Sequence, residues 1–431
     1  MKKMFFALGL CLMTLTAMGQ QSKKDIAADI NLAGSNYVAY YGPTKKLSKA
    51  PKGYTPYYIS HYGRHGSRYL IGTNDYDSPY KTLLRADSAG ALTAEGKATL
   101  EKVRLIREEA KKRDGELTLL GAQQHRGIAK RMMERFPEVF AGKAHVDARS
   151  TVVIRCILSM ENELLQLISM NPDLDILHDA SEHDMWYLND SKSKYNRLRD
   201  TKAARQVLGE FNGRHVNYDH LMTVLFNDTA YVNHNIRRNS LGDHLAKLAS
   251  NLQSTELRRQ LTLWNLFTEE EVYNYWLRNN AYWYTYYGPC RENSGAGMYN
   301  QSYLLRNIIE TADTCVGKQR PGATLRFGHE VCVMPLVCLL NLNGYGETIN
   351  NLEDLDDRGW YNYRIFPMGC NVQFVFYRPT KGTGDVLVKV LLNEDEATLP
   401  DLKAVTGSYY KWTDVRQFYL DKMDKAEREM N

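Results

Sequence analysis

Between about Asn171 and Cys315 the strand signal nearly vanishes from this sequence, and that gap constrains the fold more than any other feature. On either side of it, short β-like runs stand at Tyr57 to Tyr62, Ala144 to Asp147, Thr324 to Phe327, Val372 to Tyr377 and Val386 to Leu392, the last two rich in Val, Phe and Leu. Helical patterns lie between them. Thr93 opens a helix whose Leu100, Val103, Ile106 and Ala110 keep the helical period until Asp114-Gly115, and Thr118 opens another that Pro137 closes. Strands that alternate with helices build an α/β sheet. The gap itself reads as helical, with segments such as Leu241 to Leu252, Thr255 to Leu266 and Met298 to Thr314. We therefore expect residues 171–315 to form a helical insertion domain and residues 21–170 and 316–431 to form one sheet-containing domain, with a small-ligand site in the cleft between the two lobes.

Composition sets outer limits. A chain of 431 residues that is 43% hydrophobic and 24% charged has ample material for a large core, which argues against disorder. The formal charge of +5 is a small surplus, and no run of like charges suggests a nucleic-acid arm or a membrane-binding tail. Any preference for anions must be built locally. Residues 1–20 read as a signal peptide: Lys2 and Lys3, an apolar stretch from Met4 to about Met18, then Gly19-Gln20. The apolar run is too short for a stable membrane anchor, so an exported product, periplasmic or extracellular, is expected. Loss of the signal removes Cys11 and leaves Cys156, Cys290, Cys315, Cys332, Cys338 and Cys370, an even set whose spacings specify neither a bridge nor a metal knuckle. Cys332 and Cys338 lie in an apolar helical stretch and read as buried free thiols.

Three segments carry chemistry. His61-Tyr62-Gly63-Arg64-His65-Gly66-Ser67-Arg68 falls where an expected strand ends, the usual ligand-binding position of an α/β sheet. Two guanidiniums flank an imidazole there, and a guanidinium offers forked donors that match phosphate oxygens while keeping its charge at any working pH. Gly66 lets backbone approach a ligand. Thr324-Leu325-Arg326-Phe327-Gly328-His329-Glu330 is again a strand that runs into a turn, and supplies a histidine donor beside a carboxyl group able to protonate a leaving alkoxide. In Asp147 to Arg155 a short strand leads into a helix, and either Arg149 or Arg155 could reach the pocket from its start.

The first of these segments resembles the Arg-His-Gly-x-Arg signature of the histidine phosphatases. The mature chain is similar to the branch that holds histidine acid phosphatases, phytases and multiple inositol polyphosphate phosphatases. Leu117-Thr118-x-x-Gly121, the Arg-Ser-Thr run leading to Arg155, Phe-Gly-His-Glu, and Pro367 to Phe374 carry the resemblance further. It implies a phosphoglycerate-mutase-like fold, a central mixed sheet flanked by helices with a mostly helical insertion. It also implies that His65 attacks phosphorus and becomes a phosphohistidine, that Arg64, Arg68, Arg155 and His329 hold the phosphate oxygens, and that Glu330 is the proton donor. No metal and no cofactor are required on this reading. The partner it implies is a small phosphate ester, with inositol polyphosphates such as phytate the preferred class. One departure is plain: the acid phosphatases carry His-Asp at the last site and the inositol polyphosphate branch His-Ala-Glu, whereas this chain has His329-Glu330.

His61, four residues before the nucleophile, either lines the pocket or is structural. The aromatic tract from Tyr273 to Tyr287 reads as helical core or as a lid. No phosphate-binding loop of nucleotide motors, zinc spacing or serine-hydrolase elbow occurs. Two rivals stay open: a broad-range acid or sugar phosphatase, and a phosphate-ester-binding protein without turnover.

Overall fold

The computed structural model describes residues 21–189, 193–318 and 320–430; the expected signal peptide lies outside them. Its centre is an eight-stranded mixed sheet of β1 (Tyr54–Arg64), β2 (His145–Ser150), β3 (Asp175–Ala180), β4 (Gly322–Gly328), β5 (Asn371–Pro379), β6 (Leu387–Leu392), β7 (Asp395–Glu396) and β8 (Tyr410–Lys411). The order is β3-β2-β4-β1-β5-β6-β7, with β8 paired to β6. Strands β3, β2, β4 and β1 run parallel, and β5, β6 and β7 add antiparallel pairs. In the register of the central pair, Arg64 of β1 stands opposite Gly328 of β4, so both chemical segments emerge from the same end of neighbouring strands.

Side-chain alternation divides the sheet residues between two cores. Ile59, Val146, Leu325 and Val375 face Ile128 and Met132 of the helix Leu119–Arg135 and Leu164 and Leu167 of the helix Ile154–Met170. From the opposite face Tyr58, Tyr62, Phe374 and Val388 join Leu245, Trp276, Ile308 and Val337. Helices thus cover both faces. Each such side chain taken from water contributes about 1.5–3 kcal/mol, which holds the parallel centre of the sheet in place. The aromatic tract is largely core: Tyr275, Trp276, Trp283 and Tyr284 are buried.

Local chemistry explains the helix starts. The Thr118 hydroxyl accepts from Gly121 N at 3.3 Å and caps the helix that follows, while Thr268 and Glu271 form a reciprocal capping box at the start of the helix Glu269–Tyr287. Two expectations give way. Thr255 to Leu266 holds two short 3-10 turns, Glu256–Arg259 and Trp264–Leu266, instead of one helix. Asp175–Ala180, inside the stretch read as helical, is the edge strand β3. Most of its residues are exposed, so its pairing with β2 rather than a buried apolar pattern makes it a strand. The six cysteines among the described residues are free thiols, Cys315 partly exposed and the rest buried. No helix among the described residues is long and apolar enough to cross a membrane.

Candidate active site

The loop after β1 is stitched to its neighbours through backbone bonds: Arg64 N donates to Cys370 O at 2.8 Å, His65 N to Gly328 O at 2.9 Å, and Gly369 N to His65 O at 3.0 Å. Gly66 N donates to Ser159 Oγ at 3.1 Å and Ser67 N to Gln124 Oε1 at 2.8 Å, which ties the loop to both helices on that face. Glycine at 66 also answers a packing demand inside the protein. A β-carbon there would lie 2.5 Å from Gly121 O, so Gly66 and Gly121 permit the loop to press on the first turn of the helix Leu119–Arg135.

His65 is fully buried, and its Nδ1 stands 2.9 Å from Gly66 O. A carbonyl can only accept, so Nδ1 carries the proton and Nε2 keeps its lone pair. Burial holds the imidazole far below its ordinary pKa, so it is neutral and nucleophilic at working pH. Glu330 begins the helix Glu330–Leu339 with His329 as its N-cap. Its carboxylate lies 3.1 Å from Arg64 Nε, 3.6 Å from His65 Nε2 and 3.9 Å from Arg68 Nη2. Burial alone would raise that carboxyl, but the Arg64 charge beside it, with that of Arg68, holds it well below the usual range.

Arg64 is anchored at one end, where Nη1 donates to Asn36 O at 2.6 Å and Phe366 O at 3.0 Å. Arg68 Nη1 donates to Tyr69 O at 2.9 Å, and its guanidinium stands over the Tyr37 ring at 5.5 Å. Arg155 enters from the first turn of its helix, and burial together with the Arg68 charge lowers its pKa. The His329 ring meets the His65 ring edge-on at 5.7 Å, and its Nε2 is 3.3 Å from Thr151 Oγ1. Burial lowers His329 to about 4, so it too is neutral.

His65, Glu330, Arg64, Arg68, Arg155 and His329 therefore converge. His61 and Arg149 do not. His61 is buried among Phe327, at 5.5 Å between ring centres, and His125, and burial lowers it to about 3. Arg149 pairs with Asp147 at 2.9 Å and Asp179 at 3.6 Å along the outer strands. The contributions of Asn36, Gln124, Thr151 and Ser159 were not read from the sequence; only their proximity in space marks them. A metal could find ligands in His65, His329 and Glu330, whose donor atoms lie within 4.8 Å of one another. Three guanidiniums in the same pocket oppose a dication, and the geometry suits an anion.

The fold has parallels among solved structures. It is similar to the Bifidobacterium longum multiple inositol polyphosphate phosphatase in complex with inositol hexasulfate, with TM-score 0.74 and 18% identity over 89% of this chain and 96% of that one. It is also similar to the phytase from D. castellii, with TM-score 0.69 and 14% identity over 91% and 85%. The Hafnia alvei phytase in complex with myo-inositol hexakis sulphate gives TM-score 0.54 and 12% identity over 86% and 98%. No curated protein matches the sequence. The model of the histidine phosphatase superfamily (branch 2) matches residues 63–393, a span that includes both the His65 loop and the His329-Glu330 turn. On that match, the chain belongs to branch 2 of the histidine phosphatase superfamily.

Proposed function

We propose that this phosphatase is an exported, metal-independent phosphomonoester hydrolase that works through a phosphohistidine at His65 and acts on inositol polyphosphates such as phytate. The observation that carries the reading is a neutral imidazole, its Nδ1 proton fixed on Gly66 O, whose Nε2 lies 3.6 Å from the carboxylate that Arg64 and Arg68 pair with. The Nε2 lone pair bonds to phosphorus, the P–O ester bond breaks, and its electron pair leaves on the alkoxide, which takes a proton from Glu330. Water then attacks phosphorus, gives its proton to Glu330, and the N–P bond breaks to release phosphate. Glu330 is ionised in the free enzyme and acquires its proton when substrate enters. The incoming oxygens take over the Arg64 and Arg68 charges that hold the carboxyl down, and the added anion repels it, so its pKa rises.

A further cation supports several phosphates on one substrate. Arg199 lies over the Tyr287 ring at 4.0 Å, and its buried Nη1 has no hydrogen-bond partner among the described residues. Burial raises the Tyr287 phenol, and the charges of Arg199 and Glu330 both act on it. Tyr287 leads back to the pocket through Trp283 and Phe366, each step 4.8 Å between ring centres.

The test is an alkaline quench of enzyme mixed with radiolabelled substrate. Label is expected on His65 and absent in His65→Ala, which should retain the fold and lose at least about three orders of magnitude in kcat. Turnover near wild type in that variant overturns the nucleophile. Phosphate release from phytate and from a sugar phosphate, both with chelator, separates the substrates: Arg199→Ala should raise KM for phytate by about tenfold and leave the sugar phosphate unchanged. Equal effects on both favour a broad-range phosphatase.

A further inference from the structure

The 3-10 segment Ile30–Tyr37 precedes residues 63–393, where the family match lies, yet it borders the pocket. Asn36 makes two bonds there. Its backbone carbonyl takes Arg64 Nη1 at 2.6 Å, which commits that end of the guanidinium and leaves Nη2 without a hydrogen-bond partner among the described residues. Its side-chain Nδ2 donates to Glu330 Oε1 at 3.3 Å. The ion pairs of Glu330 set its charge, but Coulomb attraction to several cations has little directional preference, whereas a hydrogen bond fixes the carboxylate's orientation.

The backbone next to Asn36 is held in a conformation that L-residues avoid. Ser35 has φ 57 and ψ −121, and such strain persists only where the surroundings over-determine it. They do so here. Asn362 Nδ2 donates to Ser35 Oγ at 2.7 Å, Val38 N to Ser35 O at 3.2 Å, and Gln253 clamps the segment by accepting from Ala39 N at 2.9 Å and donating to Asn31 O at 3.1 Å. Two chain-distant side chains, Asn362 and Gln253, and one local backbone bond thus place one asparagine.

We infer that Asn36 is a positioning residue of the phosphatase reaction: its carbonyl sets the Arg64 fork and its amide holds Glu330 in the attitude from which it serves the leaving group. The inference rests on the reading of Glu330 as proton donor.

The test compares an alkyl phosphate, whose departure needs a proton, with p-nitrophenyl phosphate, whose departure does not. Asn36→Ala should lower kcat about tenfold on the alkyl ester and less than about twofold on the nitrophenyl ester, with no further alkyl loss when added to Glu330→Gln. If Asn36→Ala does not fold, Asn36→Ser, which also lacks the amide, is measured in its place. Equal losses on both esters from Asn36→Ala, while Glu330→Gln itself discriminates between them, overturn the role of Asn36 and leave Glu330 intact. Equal losses from Glu330→Gln overturn the proton-donor reading, and this inference with it.

Discussion

Two buried groups of arginine and glutamate sit in this one fold, built on opposite rules. Beyond β6, Glu394 is almost fully buried and its acceptors are taken: Arg131 Nε and Nη2 donate to Oε1 at 2.9 Å and Oε2 at 2.6 Å, Tyr40 donates to Oε2 at 2.6 Å, and Arg135 Nη1 donates to the backbone carbonyl at 2.9 Å. At the end of β1 and β4, Arg64 and Arg68 share the single carboxylate of Glu330 at 3.1 and 3.9 Å, and the Arg155 charge acts on the same group. Arg64 Nη2, Arg68 Nε and Arg155 Nε are buried without hydrogen-bond partners among the described residues. An unmade hydrogen bond to a buried charged group costs free energy, so a cluster left short of acceptors is tuned to receive one. The same residue types give structure where donors and acceptors balance, and where they do not they leave buried donors open to an anion, as the proposed phosphate site requires.

Removal of one arginine from each group tests that contrast, and the largest effect is expected at the site. Arg68→Ala should lower kcat/KM by roughly 10²–10³, the loss typical of one oxyanion donor, with little change in unfolding free energy. Arg131→Ala should do the reverse: Glu394 loses its bidentate partner while buried, which costs roughly 3 kcal/mol in urea unfolding, and kcat/KM stays within about twofold. Should Arg68→Ala unfold as readily as Arg131→Ala, the arginines beside Glu330 are structural and the contrast collapses.

How much of this was legible in the sequence follows from where each signal lies. The His65 loop and the His329-Glu330 turn could be read because each is a short segment that carries its strand and its chemistry together. Arg155 and Arg149 could not be told apart by their motif; the fold separates them, because Asp147 and Arg149 share one side of β2 and pair there, while Arg155 lies in the first turn of the next helix. Edge strand β3 had no apolar pattern to announce it. Asn36 was beyond reach, since a lone asparagine gains its meaning only from Arg64 and Glu330, which approach it through folding. At Gly66 the sequence shows a close backbone approach but not its neighbour inside the protein, Gly121, which comes near only through folding.

His61 sharpens the rule, because both of its ring nitrogens are buried without partners among the described residues and yet it is not in the pocket. Orphaned donors mark a site only where they converge; alone, His61 is a cost that pH should reveal. Burial lowers its pKa from 6.5 to about 3. Between those values the unfolded chain binds a proton that the folded chain refuses, so stability falls as pH drops below 6.5, by roughly 2 kcal/mol at pH 5 for this one ring. His329 and His65, also held neutral by burial, add with the same sign, and Glu330 adds its own loss below the ordinary carboxylate range. His61→Leu removes one of these contributions and leaves the pocket untouched. Its unfolding free energy should fall less between pH 7 and pH 5 than that of the parent, by about that 2 kcal/mol, with kcat/KM close to the parent's. An unchanged pH slope would mean that His61 carries its proton inside the fold, and that burial without a partner does not neutralise it here.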